Sequence, residues 1–248
     1  MKSYSITDVG QKRKENQDFI FASDVPVGNL PNLYVVADGM GGHNAGDFAS
    51  RCAVETLLAS VMENQSSNPV IIIRTAVEAA NIRLLQEASD HEELSGMGTT
   101  MVLLTVVGPF AYVANVGDSR LYLVDQHKIT QITKDHSLVE EMIRMGELTK
   151  DEARVHPDKN IITRAVGVAK DVKVDFFDIH LSRNDILLLC SDGLSNMVTD
   201  ECIYKTIRSG ETLETIGDHL IDLANENGGK DNIAVILARP DAKEVEEC

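Results

Sequence analysis

Two segments of the chain end alike. Leu33-Tyr34-Val35-Val36-Ala37 runs into Asp38-Gly39, and Ile186-Leu187-Leu188-Leu189-Cys190 runs through Ser191 into Asp192-Gly193. Each is a short, unbroken apolar stretch that reads as a strand buried between layers, with no face left for water. Each therefore carries a carboxylate at a strand end. A third acid, Asp231, stands just before Asn232-Ile233-Ala234-Val235-Ile236 and after the turn-like pair Gly228-Gly229. If that last strand runs antiparallel to the other two, its start lies at the rim where they end, and three carboxylates converge there.

Converging carboxylates repel, and without a counterion one or more would stay protonated. A hard divalent cation removes the conflict, and an all-oxygen trio favours Mg²⁺ or Mn²⁺ over Zn²⁺. The glycine after each Asp allows a sharp backbone turn, and its carbonyl is a further ligand candidate. The same Asp-Gly pairs also read as ordinary turns after a strand. Asp118, within Asn115-Val116-Gly117-Asp118-Ser119-Arg120, lies between two strand-like runs and reads by itself as a hairpin turn. Arg13 and Asp18 precede the run Phe19 to Ala22, and Arg13 taken alone is a solvated surface cation.

Further strands are predicted at Met101–Val107, Ala111–Val116, Leu121–Val124 and Ile233–Ala238. Helices are predicted over Asn44–Met62, over Pro69–Ala88 with Pro at its first position, and over Asp200–Arg208 and Glu211–Glu226. Helices come in pairs with consecutive strands between them, an α+β pattern that two face-to-face sheets covered by helices would accommodate. Between His136 and Val166 the chain is polar and rich in Met and Arg; short helices are expected, as a flap or as a plain connection. No linker or repeat divides the 248 residues, so one domain over 1–248 is expected.

At 43% hydrophobic the chain can bury a core without staples. A net charge of -16 argues against nucleic acid and against a polybasic membrane contact. Cys52, Cys190, Cys202 and Cys248 form no CxxC pair and read as thiols in a reducing compartment. The N-terminal stretch has no apolar secretory segment, and no run approaches the roughly 18 apolar residues of a membrane span. A cytoplasmic protein is expected. Gly39-Met40-Gly41-Gly42 misses the GxGxxG spacing and no Walker lysine follows; GxSxG, HExxH and an EF-hand loop are absent.

Six motifs occur in order: Arg13-Lys14-Glu15-Asn16-Gln17-Asp18, Val36-Ala37-Asp38-Gly39-Met40-Gly41-Gly42-His43, Gly98-Thr99-Thr100, Asn115-Val116-Gly117-Asp118-Ser119-Arg120, Ser191-Asp192-Gly193-Leu194 and Gly229-Lys230-Asp231-Asn232. Together they resemble the type 2C metal-dependent protein phosphatases in their short bacterial form, from about residue 5 to residue 238. The resemblance implies a four-layer α-β-β-α sandwich of two mostly antiparallel sheets flanked by helix pairs. It implies hydrolysis of phosphoserine and phosphothreonine in proteins by a water activated between two Mn²⁺ or Mg²⁺ ions. Asp38 would bridge both ions, the Gly39 carbonyl would bind one, and Asp192 and Asp231 the other. Asp118 would hold a third ion with Asp192, Asp18 would steady the waters on the metals, and Arg13 would grip the phosphate. The segment 136–166 would be the flap beside the site. Phosphoprotein substrates, an opposing Ser/Thr kinase and a monomeric state follow as expectations.

Two positions depart from the eukaryotic pattern: Met40 stands where a histidine is proposed as general acid, and Gln17 where Glu is usual. A binding scaffold without turnover is the rival reading, and it would need a broken ligand set. An acidic cation-binding regulator is a second. Mn²⁺-dependent release of phosphate from p-nitrophenyl phosphate separates the phosphatase from both.

Overall fold

The computed structural model describes residues 1–42 and 45–241, all with side chains except Lys150 and Asp151. His43, Asn44 and Cys248 therefore lie outside the described residues. In chain order the elements are β1 (Lys2–Asp8), β2 (Asp18–Ser23), β3 (Leu33–Met40), α1 (Ala45–Glu63), α2 (Pro69–Asp90), β4 (Gly98–Thr99), β5 (Met101–Val107), β6 (Phe110–Val116), β7 (Arg120–Val124) and β8 (Ile129–Gln131). Then follow α3 (Leu138–Met145), α4 (Lys150–Val155), β9 (Asp175–His180), β10 (Ile186–Cys190), α5 (Asp192–Ser195), α6 (Asp200–Ile207), α7 (Leu213–Glu226) and β11 (Ile233–Arg239).

The strands form two antiparallel sheets. One runs β1-β11-β10-β7-β8; the other runs β2-β3-β5-β6-β9, with β4 pairing β3. Alternation along the apolar strands sorts their side chains into separate layers. In β3, Leu33, Val35 and Ala37 pack with Ala49, Ala53 and Leu57 of α1 and Ile73 and Val77 of α2. Tyr34 and Val36 point the other way and meet Leu187, Leu189 and Ile236 of the opposing sheet. In β10 and β11, Leu188, Cys190, Ile233 and Val235 face Ile216 and Leu220 of α7. Three apolar layers thus separate helices, sheet, sheet and helices, the α+β sandwich expected. Strands apolar on both faces are what such central layers require, since burying each large side chain contributes about 1.5–3 kcal/mol.

Helix α2 begins where the sequence places it. The Asn68 side chain caps it, accepting from the Val70 N–H at 2.9 Å, and Pro69 occupies the first turn. The segment after His136 carries α3 and α4 and no strand, only single bridges of Ser137 to Ile162 and of Val166 to Thr99.

Candidate active site

Asp18 and Asp38 face each other in register on the antiparallel pair β2–β3. Three contacts from threonines fix the backbone of Asp38: its N–H donates to Thr100 Oγ1 at 3.0 Å, and its carbonyl accepts from the Thr100 N–H at 2.8 Å and from Thr99 Oγ1 at 2.9 Å. The next residue donates its N–H to the Gln17 carbonyl at 3.0 Å, while the Gln17 N–H donates to Asn232 Oδ1 at 2.8 Å. The backbone of Gln17 so links Gly39, near the end of β3, to Asn232, just before β11 in the other sheet. A second tie is shorter: Ser191 Oγ donates to Asp18 Oδ2 at 2.6 Å and accepts from the Ala234 N–H at 2.9 Å.

Strand β11 is antiparallel to β10, with Val235 opposite Cys190, so Asp231 lies beside the end that carries Asp192. Asp231 pairs with Arg13 at 2.8 Å, and the Arg13 side chain is half exposed. Asn196 Nδ2 holds Asp192 Oδ2 at 2.8 Å. Asp118 comes from the link between β6 and β7, beside Ser119, whose hydroxyl meets that of Thr100 at 2.7 Å. Asp118 and Asp192 line a cavity of about 400 Å³ whose wall includes Val139 and Ile143 of α3, Arg154 of α4 and Lys159.

The electrostatics show how closely these acids are gathered. Burial pushes Asp38 well above the usual carboxylate range, and the charges of Asp18, Asp192, Asp118 and Asp231 push it further. Burial raises Asp18 to about 8, helped by Asp192 and Asp231 and opposed by the Ser191 hydrogen bond. Asp192 rises to about 6, chiefly by burial and then by Asp231, with Arg120, Lys159 and Arg13 pulling it down. Burial and Asp192 likewise hold Asp118 high. Among the described residues no three acidic, histidine or cysteine side chains form a ready-made metal-ligand group. The chemistry of the carboxylates fits a hard divalent cation: every donor is oxygen, and the buried Asp18 Oδ1 has no hydrogen-bond partner among the described residues.

Six of the predicted residues, Arg13, Asp18, Asp38, Asp118, Asp192 and Asp231, are thus linked by contacts or by mutual charge, and Gly39 is the strand neighbour of Asp38. Three local readings need correction. Neither Asp-Gly pair is a strand-ending turn: β3 continues to Met40, and Asp192 opens α5. Nor are Gly39 and Gly193 among the glycines with positive φ. Glycine is required by close approach instead, since a Cβ at Gly39 would lie 2.0 Å from the Gly46 carbonyl oxygen and one at Gly193 1.9 Å from that of Asn232. Asp118 is not in a hairpin, because β6 and β7 belong to different sheets. Arg13 is not a free surface cation but the partner of Asp231. The sequence gives no separate signal for Ser191, Asn196 and Asn232, whose side chains hold Asp18, Asp192 and the Gln17 N–H; Ser191 and Asn232 stand inside the motifs, each next to an aspartate.

A family profile described as Protein phosphatase 2C matches residues 10–238. The serine/threonine phosphatase Stp of Listeria monocytogenes is 42% identical over 95% of this chain and 94% of its own. The solved serine/threonine phosphatase of S. agalactiae is 37% identical, covers 97% of this chain and 99% of its own, and superposes with a TM-score of 0.90. The catalytic domain of the phosphatase PstP, solved with two manganese ions, is 31% identical over 95% of this chain and 96% of its own, with a TM-score of 0.84.

Proposed function

Because the chain belongs to the protein phosphatase 2C family and is a metal-dependent serine/threonine phosphatase, we propose that its rim carboxylates hold two divalent cations, Mn²⁺ or Mg²⁺. Asp38 would bridge both, the Gly39 carbonyl would bind one, and Asp192 and Asp231 would bind the other. Asp118 with Asp192 would hold a third. The observation that carries this reading is geometric: Asp18 faces Asp38 in register on β2–β3, and Ser191, the neighbour of Asp192, donates its hydroxyl to Asp18 Oδ2 at 2.6 Å across the two sheets.

Such cations, when bound, supply an activated water and counter the charge of the phosphoryl group. The chain's own residues supply orientation. Asp18, fixed by Ser191 through one oxygen and free at the other, would steady the waters at the metals. Arg13 has a planar fork that matches two phosphate oxygens, and its present partner is a carboxylate, a similar anion. It would orient phosphorus toward attack. Met40 carries no titratable proton, so it would not serve as the general acid for the leaving alkoxide.

Residues 1–248 would form one catalytic domain, with the segment 136–166 as a flap that influences substrate choice; α3, α4 and the cavity beside Asp192 support this. Substrates are phosphoproteins, and a Ser/Thr kinase would oppose the enzyme. The chain would act as a monomer in the cytoplasm; among the described residues no helix is long and apolar enough to cross a membrane.

The test is phosphate release from a phosphothreonine peptide at saturating Mn²⁺. Asp38→Asn and Asp231→Asn should each fall by about 10²- to 10³-fold, the scale of losing charge stabilisation at a reacting centre, while retaining their circular dichroism. Activity near wild type in either variant would remove that residue from the ligand set.

A further inference from the structure

Asn232 is buried, 4% exposed, and its carboxamide is used three times by one loop. Its Nδ2 donates to the Val9 and Glu15 carbonyls, both at 2.9 Å, and its Oδ1 accepts from the Gln17 N–H at 2.8 Å. These partners stand on both sides of Arg13 in the segment joining β1 to β2, which has no regular structure of its own. The neighbouring turn adds a fourth and a fifth contact, since the Gly229 carbonyl accepts from the Gln11 and Lys12 N–H groups at 2.7 and 3.1 Å. Gly10, at φ +77°, lies so close that a Cβ there would stand 2.2 Å from the Asp231 carbonyl oxygen. The loop is thus moulded onto the residues that enter β11.

Arg13 cannot hold this loop by itself. Its only ion pair in the described structure, to Asp231, is half exposed, and pairs in that setting contribute little. Phosphate arriving at Arg13 would moreover compete with Asp231 for the same guanidinium. What keeps the arginine at the rim must be independent of that pair, and hydrogen bonds from a buried carboxamide are.

We propose that Asn232 is a positioning residue, which clasps the 9–17 loop so that Arg13 is presented to the phosphate. The inference rests on the reading of Arg13 as the phosphate-gripping residue. It assigns Asn232 no contact with substrate and no role toward the cations.

Steady-state kinetics with p-nitrophenyl phosphate, with inorganic phosphate as competing ligand, test it at saturating Mn²⁺. Asn232→Ala should raise both KM and the phosphate inhibition constant about five- to tenfold, the scale of one or two net hydrogen bonds. The Mn²⁺ concentration giving half-maximal rate should stay within about twofold of wild type, which a general loosening of the rim would not allow. The double variant Arg13→Ala/Asn232→Ala should bind phosphate no worse than Arg13→Ala, because both changes remove one function. If Asn232→Ala does not accumulate as folded protein, Asn232→Ser, which keeps one hydroxyl, should show the same pattern at smaller size.

Effects that multiply in the double variant, or a shifted Mn²⁺ dependence with unchanged KM, would overturn the inference and leave Arg13 where it is. An Arg13→Ala variant with unchanged KM and inhibition constant would instead overturn the reading of Arg13, and this inference with it.

Discussion

A carboxylate placed out of water beside other carboxylates favours its neutral form, and Asp18, Asp38, Asp118 and Asp192 all show this. The consequence for stability has a definite sign. Unfolded aspartates titrate near about 4, whereas Asp192 is raised to about 6 and Asp18 to about 8 in the folded chain. Between those values the folded state binds more protons than the unfolded one, so stability is fully present at low pH and is lost as pH rises through the window. Asp125, Glu152, Asp175 and Glu201 are held below their ordinary values, and their contribution changes only at lower pH. The melting temperature of chelated protein should therefore fall between pH 5 and pH 8, and Mn²⁺ should restore most of the loss at pH 8 by favouring the charged forms. A chelated protein that grows more stable over this range would contradict the account. At Arg13 the prediction concerns binding: Arg13→Ala should raise KM for a phosphopeptide about tenfold or more. Arg13→Lys should recover only part, since an ammonium lacks the two-pronged fork. Unchanged kinetics in Arg13→Ala would return this side chain to the solvent.

Strands differ in how plainly their sequences announce them. β5 and β10 coincide with the predicted Met101–Val107 and Ile186–Cys190 because both faces are buried, leaving an apolar run with abrupt ends. β1, β8 and β9 carry no such apolar run; each is a half-exposed edge strand, and β9 includes Asp175, Asp178 and His180. The motif acids were legible by their place at strand ends, but the local geometry was not. Asp-Gly suggests a turn, whereas what demands glycine is a close approach of other backbone, from Gly46 of α1 at Gly39 and from Asn232, far along the chain, at Gly193. Gly193 makes this testable. A methyl group there would press on the Asn232 carbonyl oxygen, so backbone must move, and Gly193→Ala should destabilise the protein by about 1–3 kcal/mol. Denaturant unfolding measures it, and a variant as stable as wild type would show that α5 and β11 are not locked together.

Across the whole molecule the sandwich brings to one rim residues that lie far apart along the chain. Asp18 and Asp38 come from one sheet, Asp192 and Asp231 from the ends of two strands in the other, and Asp118 from the crossing between them. The two sheets are stitched at that rim by Ser191 to Asp18, so the position of each acid depends on the packing of all four layers. The chain's net charge of -16 suits a cation site, though it does not locate one. Direct binding does. Calorimetric titration of Mn²⁺ into the chelated protein should show at least two ions on wild type. Folded Asp38→Asn and folded Asp231→Asn should each lose tight binding, although the two residues stand in different sheets. Unchanged stoichiometry and affinity in both variants would contradict the shared site.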